Sequence, residues 1–213
     1  MEQYYDDKYF EFQKEQGEFA AEMMFHFFQP YIKPGDAVLD FGCGGGFLLN
    51  KITCGQKLGI EINAYARKNA AGFNINTVET PGEVENEWAD VLISSHALEH
   101  VLRPYDILVE LYAKTKKGGK VVFIVPHETK YTFNTEDVNK HLYTWSEMNL
   151  GNLFTEAGFA VIESKELLHR FPPGFRKIHK MVGTKMFHKI CNLYAHWARY
   201  RHMTQIRLIA EKK

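Results

Sequence analysis

With 213 residues, 45% of them hydrophobic and 24% charged, the chain can build one α/β domain with a full core but not two of ordinary size. No apolar run approaches the ~18–20 residues that cross a bilayer. The acidic, aromatic start from Met1 to Asp7 does not read as a secretory signal, and Cys43, Cys54 and Cys191 form no CxxC pair, so a cytoplasmic location is expected. Net charge is zero, yet residues 1–164 carry 24 acidic and 14 basic side chains while residues 165–213 carry 2 and 12. That asymmetry points to an anionic partner for the basic end, or to neutralisation within the fold or across a homodimer.

In chain order, residues 11–29 suit a helix, with Phe12, Phe19, Met23 and Phe27 at three-to-four spacing. Pro30 and Pro34-Gly35 close it. Strand (37–41), helix (46–52), strand (57–61), helix (64–71) and strand (75–79) come next. Strand (90–95), helix (104–115), strand (120–125), helix (146–157) and strand (159–167) follow. Lys116 to Gly119 reads as a turn with helix C-cap chemistry. This alternation predicts a Rossmann-like α/β fold: a seven-stranded, mostly parallel sheet with helices on both faces. After the break at Phe171-Pro172-Pro173-Gly174, residues 175–201 read as a helix with an apolar stripe of Ile178, Met181, Val182, Met186, Phe187, Ile190, Leu193, Tyr194 and Trp197. The opposite face carries Lys177, Lys180, Lys185, Lys189 and Arg199, and a last strand is expected near 204–210. One domain is therefore expected: a helical lead (1–36), a cofactor-binding core (37–168), a basic helical insertion or cap (169–202) and the last strand (203–213).

The most informative segment is Val38-Leu39-Asp40-Phe41-Gly42-Cys43-Gly44-Gly45-Gly46-Phe47. It reads as strand, glycine-rich turn and helix, the device by which an open α/β sheet offers backbone amides to a ligand. Counting from Gly42, a dinucleotide fingerprint would need glycine at the sixth position, where Phe47 stands. Asp40 would also repel a pyrophosphate. S-adenosylmethionine, with its ammonium and sulfonium and no phosphate, escapes the charge objection.

Asp40-Phe41-Gly42-Cys43-Gly44-Gly45-Gly46 resembles the first motif of the class I S-adenosylmethionine-dependent methyltransferases. Gly59-Ile60-Glu61-Ile62-Asn63 is similar to the family's second strand. Ala89 to Val101, with its Leu98-Glu99-His100-Val101, resembles the fourth strand and the segment after it. Lys117 to Pro126 resembles the fifth strand, and His141 to Ser146 with Ala157-Gly158-Phe159 the approach to the sixth. The Tyr4-Tyr5-Asp6-Asp7-Lys8-Tyr9-Phe10-Glu11 lead is similar to methyltransferases of polysaccharide biosynthesis, and the Gly-Cys-Gly-Gly-Gly turn to enzymes of the ubiquinone pathway. The family usually joins its last two strands by a hairpin, so the basic helix looks like an insertion.

The resemblance implies S-adenosylmethionine as cofactor, bound by Asp40, Gly42, Cys43, Gly44, Glu61, Ile62, Ser95 and His96. Asp40 would hold the ammonium, Gly42 and Gly44 would let backbone approach the methionine portion, and Gly46 would permit close helix packing. Glu61 would take the ribose hydroxyls, Ile62 would pack on the adenine, and the loop at Glu79, Thr80 and Pro81 lies where relatives touch the adenine. His127, directly after the fifth strand, is the first candidate for a general base and His141 the second, the alternative being polar loop histidines. His100 resembles a family position of structural role. No metal is expected, because no motif of ligand spacing occurs along the chain.

The expected activity is O-methylation of a small molecule, a sugar or a lipid-linked saccharide precursor. A quinone or lipid precursor, an RNA substrate, and a cofactor binder without turnover are the alternatives. The acidic body disfavours nucleic acid. The basic amphipathic helix suits core or dimer packing, a cap over the substrate cleft, or a surface that meets an anionic or lipid-linked substrate peripherally at the membrane.

Overall fold

A parallel sheet covered on both faces needs strands that are apolar on both sides, and the segment Ala37–Phe41 meets that demand: all five residues are buried, Asp40 included. The computed structural model describes residues 17–128, 133–135, 137, 139–200 and 203–213. Its strands are β1 (Ala37–Phe41), β2 (Gln56–Ile60), β3 (Asn76–Val78), β4 (Ala89–Ser95), β5 (Thr115–Glu128), β6 (Ala160–Leu167) and β7 (Met203–Glu211). They form one sheet in the order β3-β2-β1-β4-β5-β7-β6. The first five are mutually parallel, and β7 runs antiparallel between β5 and β6. β1 has β2 on one side and β4 on the other, so strand order reverses at its carboxyl end, where sheets of this kind bind ligands.

The helices are α1 (residues 17–24), α2 (Phe47–Lys51), α3 (Ala64–Ala71), α4 (Pro104–Lys114), α5 (Glu147–Glu156) and α6 (Phe175–Arg199). Leu108 and Leu111 of α4 and Leu150 and Phe154 of α5 pack with Leu39, Leu92, Phe123 and Leu208 on one face of the sheet. Met24 of α1, Leu49 of α2 and Ala70 of α3 pack with Val38, Ile93, Val122 and Ile124 on the other. The expected doubly covered sheet, with a helical insertion before the last strand, is the observed fold.

Four local expectations differ. The first helix ends at residue 24 and gives way to 3₁₀ turns at Phe25–Phe27 and Gln29–Tyr31, the second with Pro30 in its first positions. Residues 11–16 and the tyrosine-rich lead lie outside the described residues. The turn expected at Lys116 to Gly119 is instead a bulge within β5. Ala89 pairs with Thr115 and Val91 with Lys120, Gly118 sits at φ 76°, and its N–H donates to the Lys212 carbonyl at 2.7 Å.

The helix expected over 175–201 ends at Arg199 and is interrupted at Gly183, whose φ of 72° and ψ of 169° are not helical. Its buried side is Phe187, Cys191, Ala195 and Ala198, steps of four, four and three residues that share only Phe187 with the expected stripe. Phe187 and Cys191 meet Met23 of α1, with Phe19, Phe171 and Phe175 around them. Met181, Val182, Met186, Leu193 and Trp197 of the expected stripe are left exposed.

Candidate active site

The turn after β1 is held by local sequence. Gly42, Gly44 and Gly46 have φ of 72°, 52° and 78°, a conformation costly for residues with a Cβ. Gly42 and Cys43 donate their N–H groups to the Ile60 carbonyl of β2, and Asn69 of α3 donates to the Gly45 carbonyl at 2.8 Å. A methyl group on Gly42 would fall 2.3 Å from the Ala97 Cβ, and one on Gly46 would fall 2.9 Å from the Ala70 Cβ. At Gly44 a methyl group would meet no protein atom within 4 Å, because that position faces a cleft of about 640 Å³.

Each residue expected to bind the cofactor borders this cleft: Asp40, Gly42, Cys43, Gly44, Glu61, Ile62, Ser95 and His96. Asp40 is only 2% exposed. Burial, and then the nearby Glu61 carboxylate, raise its pKa well above the usual carboxylate range. A cationic ligand group beside it relieves both effects. Glu61 accepts N–H groups from Gly44 at 2.9 Å and Asn63 at 2.8 Å, so the side chain expected to meet ribose also ties β2 to the glycine turn. Burial raises the Glu61 pKa, and the Asn63 and Gly44 amides oppose the rise.

Ile62 is 56% exposed and borders the cleft, as do Glu79, Thr80 and Pro81. The Cys43 thiol packs where a side chain on Gly59 would stand, and burial pushes its pKa upward. It is a packing thiol. The absence of a Cβ at Gly44 and the paired carboxylates Asp40 and Glu61 fit a cationic nucleoside such as S-adenosylmethionine.

The cleft extends past the glycine turn along an apolar wall that includes Met24, Leu102, Ile107, Phe171 and Phe175. Phe171 and Phe175 stack at 5.3 Å and join the start of α6 to α1. Of the segment expected as a helical insertion or cap, Phe171 and Phe175 border the cleft. Their approach to β1 is a long-range event that periodicity along residues 171–175 cannot signal, although two phenylalanines around Pro172-Pro173-Gly174 are an unusual break.

The histidine expectations need correction. His127 is not among the residues bordering the cleft: its Nδ1 meets the Thr204 hydroxyl at 3.2 Å and stands 3.7 Å from Glu166 Oε1. The reason is β7, which continues alongside β5 as far as Glu128 and Met203 and closes the edge that a free strand end would have opened. His141 is likewise not among the residues bordering the cleft, its Nδ1 bonded to Glu128 Oε2 at 2.6 Å. Hydrogen bonding and the Glu128 charge raise its pKa against the opposing effect of burial.

The imidazoles that border the cleft are His96 and His100. His96, at φ 54°, shares a 3.0 Å hydrogen bond with Gln205. Burial, with the His141 and His96 charges, lowers the His100 pKa to about 4. The expectation of no metal cluster also changes: Glu99, His100 and His141 come together, from segments too far apart in sequence to form a spacing motif.

Fold, glycine turn and acidic pair define a class I S-adenosylmethionine-dependent methyltransferase fold with its cofactor cleft. A family model described as a methyltransferase domain matches residues 12–164, and the chain belongs to that family, with S-adenosylmethionine as its cofactor. It is 36% identical over 101 residues to a ubiquinone biosynthesis O-methyltransferase of Shewanella sp. (strain ANA-3), covering 42% of this chain and 43% of that protein. It is 28% identical over 160 residues to the protein of the same name from Nitrosococcus oceani, covering 70% of this chain and 58% of that one. The chain thus spans about half the length of these curated relatives. A SAM-dependent methyltransferase structure from Archaeoglobus fulgidus superposes with a TM-score of 0.68 at 21% identity, covering 97% of this chain and all of the other.

Proposed function

We propose that this chain transfers a methyl group from S-adenosylmethionine to a hydroxyl of an apolar small molecule, of the aromatic or lipid-linked kind to which quinone precursors belong. The observation that carries this reading is the continuity of the cleft. It begins at Asp40, Gly44 and Glu61 and runs into a wall of Met24, Leu102, Ile107, Phe171 and Phe175. Names of relatives in ubiquinone biosynthesis support the same choice. When bound, the cofactor supplies a methyl activated on sulfur, so transfer is an in-line displacement that needs alignment and exclusion of water.

Asp40 holds the ammonium, Glu61 meets the ribose, and the Gly42 to Gly44 backbone admits the methionine portion. Phe171 and Phe175 shield the reacting end from water, and His96 and His100 give the acceptor hydroxyl polar partners there. A saccharide, the first expectation from the sequence, would turn most of its hydroxyls toward apolar side chains, which is costly without hydrogen bonds.

The basic helix extends the proposal. Among the described residues no helix is long and apolar enough to cross a membrane. The exposed Met181, Met186, Leu193 and Trp197 share α6 with exposed Lys177, Lys180, Lys185 and Lys189, a combination that suits peripheral contact with anionic lipid. Such contact would bring a lipid-borne acceptor to Phe175.

The test is transfer of labelled methyl from the cofactor to a panel of catechols, polyprenylated phenols, sugars and RNA. Label in the phenolic members is the expected result. Label confined to sugars or RNA overturns the choice of acceptor, and no label despite tight cofactor binding overturns turnover itself.

A further inference from the structure

Glu99 is 0% exposed, and neither of its carboxylate oxygens has a hydrogen-bond partner. A carboxylate in that position is strongly disfavoured unless a cation compensates it. The groups facing it are imidazoles rather than lysine or arginine: His96 Nδ1 stands 3.7 Å and His141 Nε2 4.0 Å from Glu99 Oε1. Both separations are too long for a hydrogen bond. Ligand atoms of Glu99, His100 and His141 all lie within 4.8 Å of one another. Two donors on one zinc-sized ion sit about 3–3.5 Å apart, given metal–ligand bonds of ~2.0–2.2 Å, so small rotations close the set.

Two further features prepare the cluster. His141 Nδ1 is fixed by Glu128 Oε2 at 2.6 Å, which turns Nε2 toward Glu99; a carboxylate behind the distal nitrogen is the usual support of a metal-binding histidine. The N–H groups of Leu142 and Tyr143 donate to the Glu99 carbonyl at 2.9 and 3.3 Å, and this clamps the two segments together.

We propose that Glu99, His100 and His141 form a binding site for a divalent transition-metal ion, with His96 as a further donor on the cleft side. One carboxylate and two or three imidazoles select a borderline ion such as Zn(II) or Co(II) over Mg(II) or Ca(II). Because His96 and His100 border the cleft, the open positions of the ion face the acceptor end. There, on the methyl-transfer reading above, the ion would lower the pKa of an acceptor hydroxyl bound to it, so that its proton leaves to water before the oxygen takes the methyl group from sulfur.

Metal-free protein is titrated with Co(II) and Zn(II), followed by visible absorption and calorimetry, without cofactor or acceptor. Failure here would therefore leave the methyl-transfer reading standing. One ion per chain with d–d bands is expected. Glu128→Gln should weaken binding about 10–100-fold, His100→Ala and His141→Ala should abolish the bands, and the distant His196→Ala should bind as the unchanged protein does. Metal-free Glu99→Gln, relieved of an unpaired buried charge, should melt no lower than the parent protein and should gain no thermal stability from Zn(II). The proposal is overturned if the parent protein binds metal no more tightly than His141→Ala, or if Glu99→Gln keeps the parent affinity.

Discussion

Replacing Gly42 and Gly44 by alanine separates the two jobs of the turn, holding the fold and admitting the cofactor. Both residues have positive φ, so each substitution carries the left-handed penalty of about 1–2 kcal/mol. At Gly42 the new methyl falls 2.3 Å from the Ala97 Cβ, and overpacking adds about 1–3 kcal/mol. At Gly44 nothing in the protein stands within 4 Å, so the backbone penalty is the whole stability cost. The added methyl then occupies space the cofactor needs. Urea denaturation should show Gly42→Ala losing roughly two to three times as much stability as Gly44→Ala. Calorimetry with S-adenosylhomocysteine should show Gly44→Ala, still folded, weakened by at least about tenfold, ~1.4 kcal/mol. A Gly44→Ala protein that binds the product as the parent does would refute the placement of the cofactor against this backbone.

Asp40→Asn should lose about 1.5–3 kcal/mol of cofactor affinity, the usual worth of a hydrogen bond to a charged group, and the loss is read by the same calorimetry. Because the folded Asp40 pKa is raised, the cofactor-free protein gains from this group below the ordinary carboxylate range and loses that gain as pH rises through the raised value. Cofactor affinity should climb over the same interval, and Asp40→Asn should flatten both trends. Phe187→Ala empties a fully buried site between α1 and α6 and should cost about 3–5 kcal/mol in denaturation experiments, with faster amide exchange over α6. His127→Ala should leave turnover within about twofold of the parent, since the Thr204 contact it breaks lies away from the cleft. Vesicle sedimentation should show binding that increases with anionic lipid content and weakens with salt; equal sedimentation with neutral lipid would remove the membrane role of α6.

That Asp40, Gly42, Gly44 and Glu61 border one cleft was legible because they are local. Asp40, Gly42, Gly44 and Glu61 occupy one strand-turn-helix unit and the end of its neighbouring strand, so the family resemblance of those short segments carries their placement. The apolar extension of the cleft was not. Phe171 and Phe175 reach the cleft only through the packing of α6 on α1, and Glu99 meets His141 only when a distant loop docks on the segment after β4. His127 misled because position after a strand does not reveal that an antiparallel β7 covers that strand's end. The stripe along 178–197 misled for a related reason: a helical period shows that a helix has faces, but Gly183 resets the phase, and small residues such as Ala195 and Ala198 were the ones to pack inward.

The cleft at the end of β1 is the place where a sulfonium nucleoside must bind. Calorimetric titration of the purified chain with S-adenosylmethionine, S-adenosylhomocysteine and NAD tests this most directly. One saturable site for each of the first two and no detectable heat with NAD is the predicted outcome. Saturable binding of NAD with none of S-adenosylhomocysteine would contradict it.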